Sequence, residues 1–250
     1  MTDLIKEKLK EIEKDSGVRI LLAVESGSRA WGFASPDSDY DVRFIYVRKK
    51  EDYLRLDEVR DVIELPINDM LDINGWDLPK ALRLMFRSNP TLFEWLTSPI
   101  VYAETEEAGQ LRGMIQDYFS VKKSLYHYAS MAESNYRGYL KSEKVKAKKY
   151  FYVLRPLLAS RWIIERKTPP PMAFSELLDA ELPDRLRGEV DRLLDLKMNS
   201  PETRLIPRVE VLNKFMDDEI LRVKELMKQQ PDDERHDWEG LNRFFLRCLR

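Results

Sequence analysis

Two aspartates two positions apart, Asp39 and Asp41, have the residue type and spacing to hold a divalent metal ion. They begin a stretch of β-forming residues that ends at Val47, so both side chains are expected on one face of a strand, with Cα atoms about 6.6 Å apart. Carboxylates this close repel each other unless a proton or cation lies between them, and their hard oxygen atoms suit Mg²⁺ or Mn²⁺. The pair predicts a magnesium or manganese site, with turn and solvated strand residues as the alternative.

The other face of this predicted strand is apolar. It carries Tyr40, Val42, Phe44 and Tyr46. A strand that packs one face against a core turns the alternate residues the other way. This context favours the metal-site interpretation of the two aspartates.

A glycine-serine pair precedes the aspartates. Gly27 and Ser28 follow the apolar run from Val18 to Val24, which predicts a buried strand. Glycine allows backbone N–H groups to approach a phosphate closely, while Ser28 adds a hydroxyl and Arg29 a positive charge. An isolated Gly-Ser pair is usually an ordinary surface turn. Joined to the aspartates by a turn-rich spacer, this pair predicts a phosphate-binding loop.

The surrounding patterns predict the elements that position these residues. A helix over residues 3–15 should end at Gly17, and Asp77 with Pro79 should begin another. Thr91 and Glu94 resemble a capping box at the start of a third helix. Further strands are expected over 61–65 and 70–74, and further helices near 105–119, 121–140, 145–166, 184–198 and 208–228, with Pro156 kinking or dividing the third of these.

These elements predict an α/β (α+β) fold. A mixed sheet of four or more strands, flanked by helices, should occupy residues 1–103, and an all-helical domain residues 104–250. Three consecutive prolines make Thr168 to Pro171 the clearest linker in the sequence.

The composition limits the classes of protein to consider. The chain has 42 Lys and Arg against 44 Asp and Glu, so no overall charge attracts it to nucleic acid. The single cysteine, Cys248, excludes an internal disulfide, and with two histidines it leaves too few ligands for a structural zinc site. No signal peptide opens the chain, and no apolar run approaches the roughly 18 residues of a membrane span. We expect a cytoplasmic protein without a membrane partner.

A strongly basic stretch runs from Arg137 to Lys167. It holds ten basic and two acidic residues, a balance of +8, with Tyr139, Tyr150 and Tyr152 among the charges. This combination suits phosphate contact and base stacking. The alternative is a solvated helix face whose aromatic residues lie in the core.

The pattern of Gly27, Ser28, Asp39 and Asp41 resembles the polymerase-beta-like nucleotidyltransferase superfamily. More narrowly, three blocks in order are similar to predicted nucleotidyltransferases associated with RNA-repair pathways: GSRAWGFASPDSDYDVRFIYV, LDINGWDLPKAL and SNPTLFEWLTSPIVY. The resemblance extends over roughly residues 20–165. It implies metal-dependent transfer of a nucleoside monophosphate from a nucleoside triphosphate to an acceptor, with RNA as the expected acceptor. The alternatives are a small-molecule or protein acceptor, and a non-catalytic nucleotide- or RNA-binding module.

The resemblance also implies a third carboxylate on a neighbouring strand. Asp72 is the first candidate, because it lies in a predicted strand just before a helix, with Asn74 on the same face. Glu64 and Asp69 compete with it, whereas Asp77 is better explained as a helix cap. Asp39, Asp41 and Asp72 would then be the catalytic and metal-binding set.

The superfamily commonly holds the triphosphate and base with a helical region that follows the catalytic domain. Lys148, Tyr152 and Arg155 share one face of a predicted helix and would line this side of the cleft. Gly27, Ser28 and Arg29 would complete the nucleotide site from the catalytic domain.

Overall fold

The computed structural model describes residues 1–66, 70–199, 204–232 and 237–249. The chain forms two compact units. The first comprises the described residues of Met1–Ala30, Asp39–Tyr118 and Arg235–Arg250, and the second those of Trp31–Ser38 and Phe119–Glu234. The predicted functional division at residue 103 stays a prediction, since compactness alone does not identify a catalytic domain.

The first unit contains a five-stranded sheet and short helices. Its elements are α1 (Thr2–Ser16), β1 (Arg19–Glu25), α2 (Gly27–Ala30), β2 (Tyr40–Val47), α3 (Lys50–Tyr53), β3 (Val62–Glu64), β4 (Leu71–Asp77), α4 (Leu78–Phe86), α5 (Pro90–Leu96), β5 (Val101–Glu104), α6 (Glu106–Gly113), α7 (Ile115–Tyr118) and, near the C-terminus, α13 (Glu239–Cys248). The strand order is β3-β4-β2-β1-β5. Only the β2 and β4 pair is parallel, so the sheet is mixed, as predicted.

The core of this unit lies on the apolar face of β2. Val42, Phe44 and Tyr46 are fully buried, as predicted, but Ile45 and Val47 are buried as well, so burial alternates only in the first half of the strand. Ile5 and Leu9 of α1 pack in the same core. α1 ends at Gly17, whose φ of 64° is a left-handed conformation that glycine adopts at little cost.

The second unit is mostly helical. Its elements are α8 (Val121–Tyr139), β6 (Lys144–Lys146), α9 (Lys148–Arg166), α10 (Phe174–Glu181), α11 (Asp184–Met198), β7 (Leu205–Pro207) and α12 (Glu210–Lys228). β6 and β7 form a two-stranded antiparallel sheet. The Trp31–Ser38 segment belongs to this unit, because the buried ring of Phe33 lies 5.2 Å from the ring of Phe151 and 5.3 Å from that of Phe174.

The predicted α/β fold class is confirmed, with local corrections. Pro156 does not divide α9, which continues to Arg166. α5 begins earlier than the predicted capping box, because the Asn89 side chain accepts a hydrogen bond from the backbone N–H of Leu92. Strands β5 to β7 and helices α2, α3, α10 and α13 were not predicted. Most of them are short, but the helical spacing of Leu241, Phe244 and Cys248 in α13 was overlooked.

In the part of the chain that the structure describes, no helix has both the length and the apolar character required to span a membrane.

The packing of Phe44 on Gly75 gives a test of the sheet. A β-carbon at Gly75 would lie 2.2 Å from two ring atoms of the buried Phe44. We expect Gly75→Ala to lower the free energy of unfolding by about 1–3 kcal/mol through overpacking, measured by urea denaturation. Gly109→Ala in α6 is the control, since its β-carbon meets no atom within 4 Å. Equal stabilities of the two variants would contradict this packing.

Candidate functional site

An arginine bridges two carboxylates on the parallel strands β2 and β4. Asp41 of β2 pairs in register with Asp72 of β4. Nη2 of Arg43 donates to Oδ1 of Asp41 at 3.0 Å and to Oδ2 of Asp72 at 2.6 Å. Its Nη1 donates to the carbonyl of Asp72 at 2.9 Å and to that of Val42 at 3.1 Å. The two acids therefore share one guanidinium.

The environment of Asp41 opposes its ionisation. Burial is the largest cause that raises the pKa of this carboxyl, and the charges of Asp72 and Asp39 raise it further. The positive charges of Arg43 and Arg29 act in the opposite direction. A second cation at this position would favour the ionised form of Asp41.

The glycine-serine loop lies directly against Asp41. Gly27 has a φ of 59°, and a β-carbon there would lie 2.0 Å from Oδ2 of Asp41. The backbone N–H of Ser26 donates to the carbonyl of Asp41 at 2.8 Å. Only glycine fits here, because both the left-handed backbone and the missing side chain are required. The structure thus brings together the loop and one aspartate of the predicted pair.

A buried glutamate, Glu25, fixes the backbone of Asp41. Glu25 is fully buried at the end of β1, and its Oε1 accepts from the backbone N–H of Asp41 at 2.7 Å. The Tyr102 hydroxyl donates to its Oε2, and the Ser98 hydroxyl donates to its backbone carbonyl. Burial raises the pKa of Glu25 above the usual carboxyl range. Sequence analysis missed its role, because nothing local shows that Tyr102 approaches it.

Arg29 and Asp39 lie at the start of β2. Asp39 is exposed and immediately precedes β2. The strand begins at Tyr40, one residue later than predicted. Nε of Arg29 donates to the carbonyl of Asp39 at 3.0 Å. The guanidinium carbon of Arg29 lies 3.7 Å from the centre of the Tyr40 ring. Arg29 therefore supports the backbone that carries the first aspartate.

The geometry separates the candidates for a third carboxylate. Asp72 lies opposite Asp41, whereas Glu64 lies on β3, where it accepts from Asn74 at 3.0 Å and pairs with Arg60. Asp77 is buried in a different network, in which it accepts from the Tyr53 hydroxyl and from Arg48. Asp69 lies outside the described residues. Of the described candidates, Asp72 is thus the one that lies beside Asp41, and its role as the third carboxylate stays a prediction.

The donor set suits a hard divalent cation. Asp41 and Asp72 offer oxygen atoms of the type that Mg²⁺ and Mn²⁺ prefer, and each side chain is 30% exposed. Within the described ranges, no group of three His, Cys, Asp or Glu side chains is placed to hold a metal together. Asp39 thus does not close a three-carboxylate group in this structure, and Arg43 is the cation between the other two.

Arg43 was not predicted as a site residue, although its spacing from Asp41 along the strand could have indicated it. It stands two residues after Asp41 on the same strand, so alternation places both side chains on one face. An arginine next to a candidate metal ligand is a natural counter-ion for it. Arg43 was overlooked because the apolar residues of this strand were interpreted first.

The remaining predicted site residues lie on α9 in the second unit. Lys148 begins the helix and is partly exposed, as is Tyr152. Arg155 is only 3% exposed, and its guanidinium carbon lies 4.5 Å from the centre of the Trp31 ring. Arg155 is thus a buried contact of this unit, whereas the other two are accessible.

Part of the positive charge of the basic stretch is neutralised by acidic residues in the folded protein. Acids from outside the stretch pair with four of its ten basic residues: Arg137 with Glu133, Lys141 with Asp217, Arg161 with Glu219 and Glu181, and Arg166 with Glu181. A different group remains accessible around β6 and the start of α9. There Nζ of Lys149 lies 3.7 Å from the ring centre of Tyr139 and 4.7 Å from that of Tyr152.

Two tryptophans of the first unit pack against each other. The rings of Trp76 and Trp95 stack with centres 3.8 Å apart, and Trp95 is 3% exposed. Of the two histidines, His127 lies on α8, and His236 is outside the described residues.

A family model and a curated relative each match almost the whole chain. A family model described as "RNA repair pathway DNA polymerase beta family" (RlaP) matches residues 1–247. The chain is 48% identical to the uncharacterized protein YcgL of Bacillus subtilis (strain 168), over 100% of this chain and 96% of that protein. A crystal structure of a nucleotidyltransferase-like protein from Exiguobacterium sibiricum 255-15 aligns with a TM-score of 0.34 and 11% identity, over 90% of this chain and 75% of that one.

The raised pKa of Asp41 predicts how its replacement affects stability. A carboxyl whose pKa is raised by folding contributes stability below its unfolded pKa and loses it as the pH rises through the folded pKa. In EDTA at neutral pH we expect Asp41→Asn to melt at or above the temperature of the wild type. The difference should vanish as the pH falls to about 4, near the ordinary carboxyl range.

Asp57→Asn is the control for this measurement, because a hydrogen bond from Arg55 lowers the pKa of Asp57. It should therefore give no gain at neutral pH. A melting temperature of Asp41→Asn clearly below that of the wild type at neutral pH would contradict the electrostatic argument.

Proposed function

Because the chain belongs to the RNA repair pathway DNA polymerase beta family, we propose that it transfers a nucleoside monophosphate from a nucleoside triphosphate to an acceptor. Membership confirms the resemblance seen in three sequence blocks. The observation that supports transfer most directly is the pairing of Asp41 with Asp72, with the Gly27 backbone against the Asp41 carboxylate.

In this proposal Asp41 and Asp72 hold Mg²⁺ or Mn²⁺, and the exposed Asp39, which does not group with them in this structure, would turn towards them to join the ligand set. When bound, the metal supplies charge stabilisation for the attacking and leaving oxygens of an in-line displacement. Glu25 keeps Asp41 in place through its backbone N–H. The acids act as metal ligands and not as nucleophiles, since positioning and electrostatics supply most of the catalysis in phosphoryl transfer.

We infer that the phosphates of the nucleotide bind beside these acids. The backbone of Gly27 lies next to Asp41, and the hydroxyl of the following residue, Ser28, is proposed to donate to phosphate oxygens. Arg29 adds positive charge at the start of β2. Lys148, Tyr152 and Arg155 of α9 stay predicted contacts of the nucleotide; within the second unit Lys148 and Tyr152 are partly exposed, whereas Arg155 is 3% exposed.

We expect Asp41→Asn and Asp72→Asn to slow transfer at least about a hundredfold, because each removes charge that the reaction requires. The assay incubates the purified chain with Mg²⁺ or Mn²⁺ and each labelled nucleoside triphosphate, with and without pooled small RNA. Asp57→Asn, with a side chain 64% exposed and distant in sequence from the pair, is the control and should keep wild-type activity. Glu64→Gln should also remain active if Asp72 is the third acid.

Each outcome of this assay selects among the functions under consideration. Wild-type activity in Asp41→Asn would exclude the proposed site. Label that moves only when RNA is present identifies RNA as the acceptor. Metal-dependent binding of the triphosphate without any transfer to RNA, small molecules or protein would favour a non-catalytic binding module.

RNA is the acceptor that the accessible surface of the second unit favours. Tyr139 is 46% exposed, and Lys149 lies between its ring and that of Tyr152. Lys144 and Lys146 are exposed on the adjacent strand β6. Aromatic rings interleaved with cations bind single-stranded nucleic acid through base stacking and phosphate contact.

We expect Tyr139→Ala to weaken binding of single-stranded RNA by roughly 1–3 kcal/mol, the usual contribution of one stacked base. Lys149→Ala should reduce the slope of log affinity against log salt by about 0.7, the value for one lost phosphate contact. Fluorescence anisotropy of a labelled RNA at several salt concentrations measures both effects. Lys141→Ala is the control, because Asp217 already pairs with this lysine at 3.3 Å. Binding that does not change with salt would favour a small-molecule or protein acceptor.

A further inference from the structure

We propose that Arg43 is an internal counter-ion that competes with the divalent metal for Asp41 and Asp72, and that it must leave them before the metal binds. This inference rests on the proposed function, because it assumes that these two acids are metal ligands. It assigns Arg43 a positioning and regulatory role at that site.

The contacts of Arg43 are those of a cation that substitutes for a metal. One nitrogen, Nη2, reaches both carboxylates, at 3.0 and 2.6 Å. A single positive centre between two carboxylate oxygens on neighbouring strands neutralises the same repulsion that a metal ion would neutralise. Two cations between these carboxylates would repel each other, so Arg43 and a metal ion cannot occupy this position together.

The guanidinium is well anchored in this position. Its other terminal nitrogen, Nη1, donates to two backbone carbonyls, and the side chain is 17% exposed. Hydrogen bonds between charged partners are among the stronger contacts in proteins. Arg43 thus lowers the affinity of the empty site for a metal, and we infer that a metal bound together with its nucleotide displaces it more readily than a metal alone.

A second arginine provides a matched comparison on the same two strands. Arg48 directly follows β2, and its Nε donates to Oδ2 of Asp77 at 3.2 Å at the end of β4. Its side chain is 13% exposed, close to the value for Arg43. Asp77 also accepts from the Tyr53 hydroxyl, so its charge is compensated by protein groups alone. Arg48 is therefore a structural arginine with similar burial and no second carboxylate to bridge.

The test measures binding of Mn²⁺ without nucleotide, by electron paramagnetic resonance of the free ion, to the wild type, Arg43→Gln and Arg48→Gln. We expect Arg43→Gln to bind Mn²⁺ at least about tenfold more tightly than the wild type, because the competing cation is gone. Arg48→Gln should bind Mn²⁺ as the wild type does. The tighter binding should disappear in the double variant Asp41→Asn with Arg43→Gln.

Thermal melting gives an independent readout. In EDTA, Arg43→Gln should melt below the wild type because Asp41 and Asp72 are left without their counter-ion, and Mn²⁺ should restore the melting temperature. Arg48→Gln should also melt at a lower temperature, but Mn²⁺ should not restore it. If Arg43→Gln does not fold, Arg43→Lys takes its place, since an ammonium group cannot make all four contacts, and its Mn²⁺ affinity should lie above that of the wild type.

The outcomes separate this inference from the proposed function. Equal Mn²⁺ affinity in the wild type and the Arg43 variant, with binding lost in Asp41→Asn, would overturn the role of Arg43 and leave the metal site intact. If neither the wild type nor the Arg43 variant binds Mn²⁺, this inference fails, and the transfer assay alone then decides the proposed function. Binding by the Arg43 variant alone would be the strongest support for competition.

Discussion

The repulsion between two carboxylates on adjacent parallel strands is the interaction around which the candidate site is organised. Register between β2 and β4 places Asp41 opposite Asp72, and neither charge is fully hydrated there. Such a pair destabilises a protein unless a cation neutralises it or a proton is taken up. The described structure supplies Arg43 for this purpose. Two neighbouring carboxylates at this position do not favour folding, because an apolar pair would pack there with a smaller loss of free energy. A functional role explains their presence better than a role in stability.

The neighbouring elements limit how Asp41 can relieve that conflict. The Gly27 backbone touches its carboxylate, and Glu25 and Ser26 hold its backbone on both sides. The carboxylate therefore cannot swing away from Asp72 without disturbing β1 and the glycine loop. A fixed acid whose pKa is raised by burial is pre-organised for a cation, since binding the cation requires little rearrangement of the ligand.

The sequence was sufficient for the features that depend on local patterns, and insufficient for those that depend on distant partners. The alternation along β2 predicted which face is buried, and strand order then brought Asp72 to Asp41 as the resemblance implied. The Glu25–Tyr102 contact joins residues 77 positions apart, so no local pattern could reveal it. The charge of the basic stretch was overestimated for the same reason, because the acids that neutralise it, such as Asp217 and Glu181, come from other helices.

The segment between the glycine-serine loop and Asp39 shows that local patterns also miss the packing of loops. Residues 31–38 were predicted as turns, yet Phe33 is 2% exposed in the aromatic core of the second unit. Nζ of Lys197, on α11, donates to the hydroxyls of Ser35 and Ser38 at 3.0 and 3.2 Å. The chain thus leaves the first unit after Ala30 and returns to it at Asp39, and the segment between them is fixed by packing and by a buried ammonium group. A segment held in this way cannot change its conformation freely, because Phe33, Ser35 and Ser38 are all buried within the second unit.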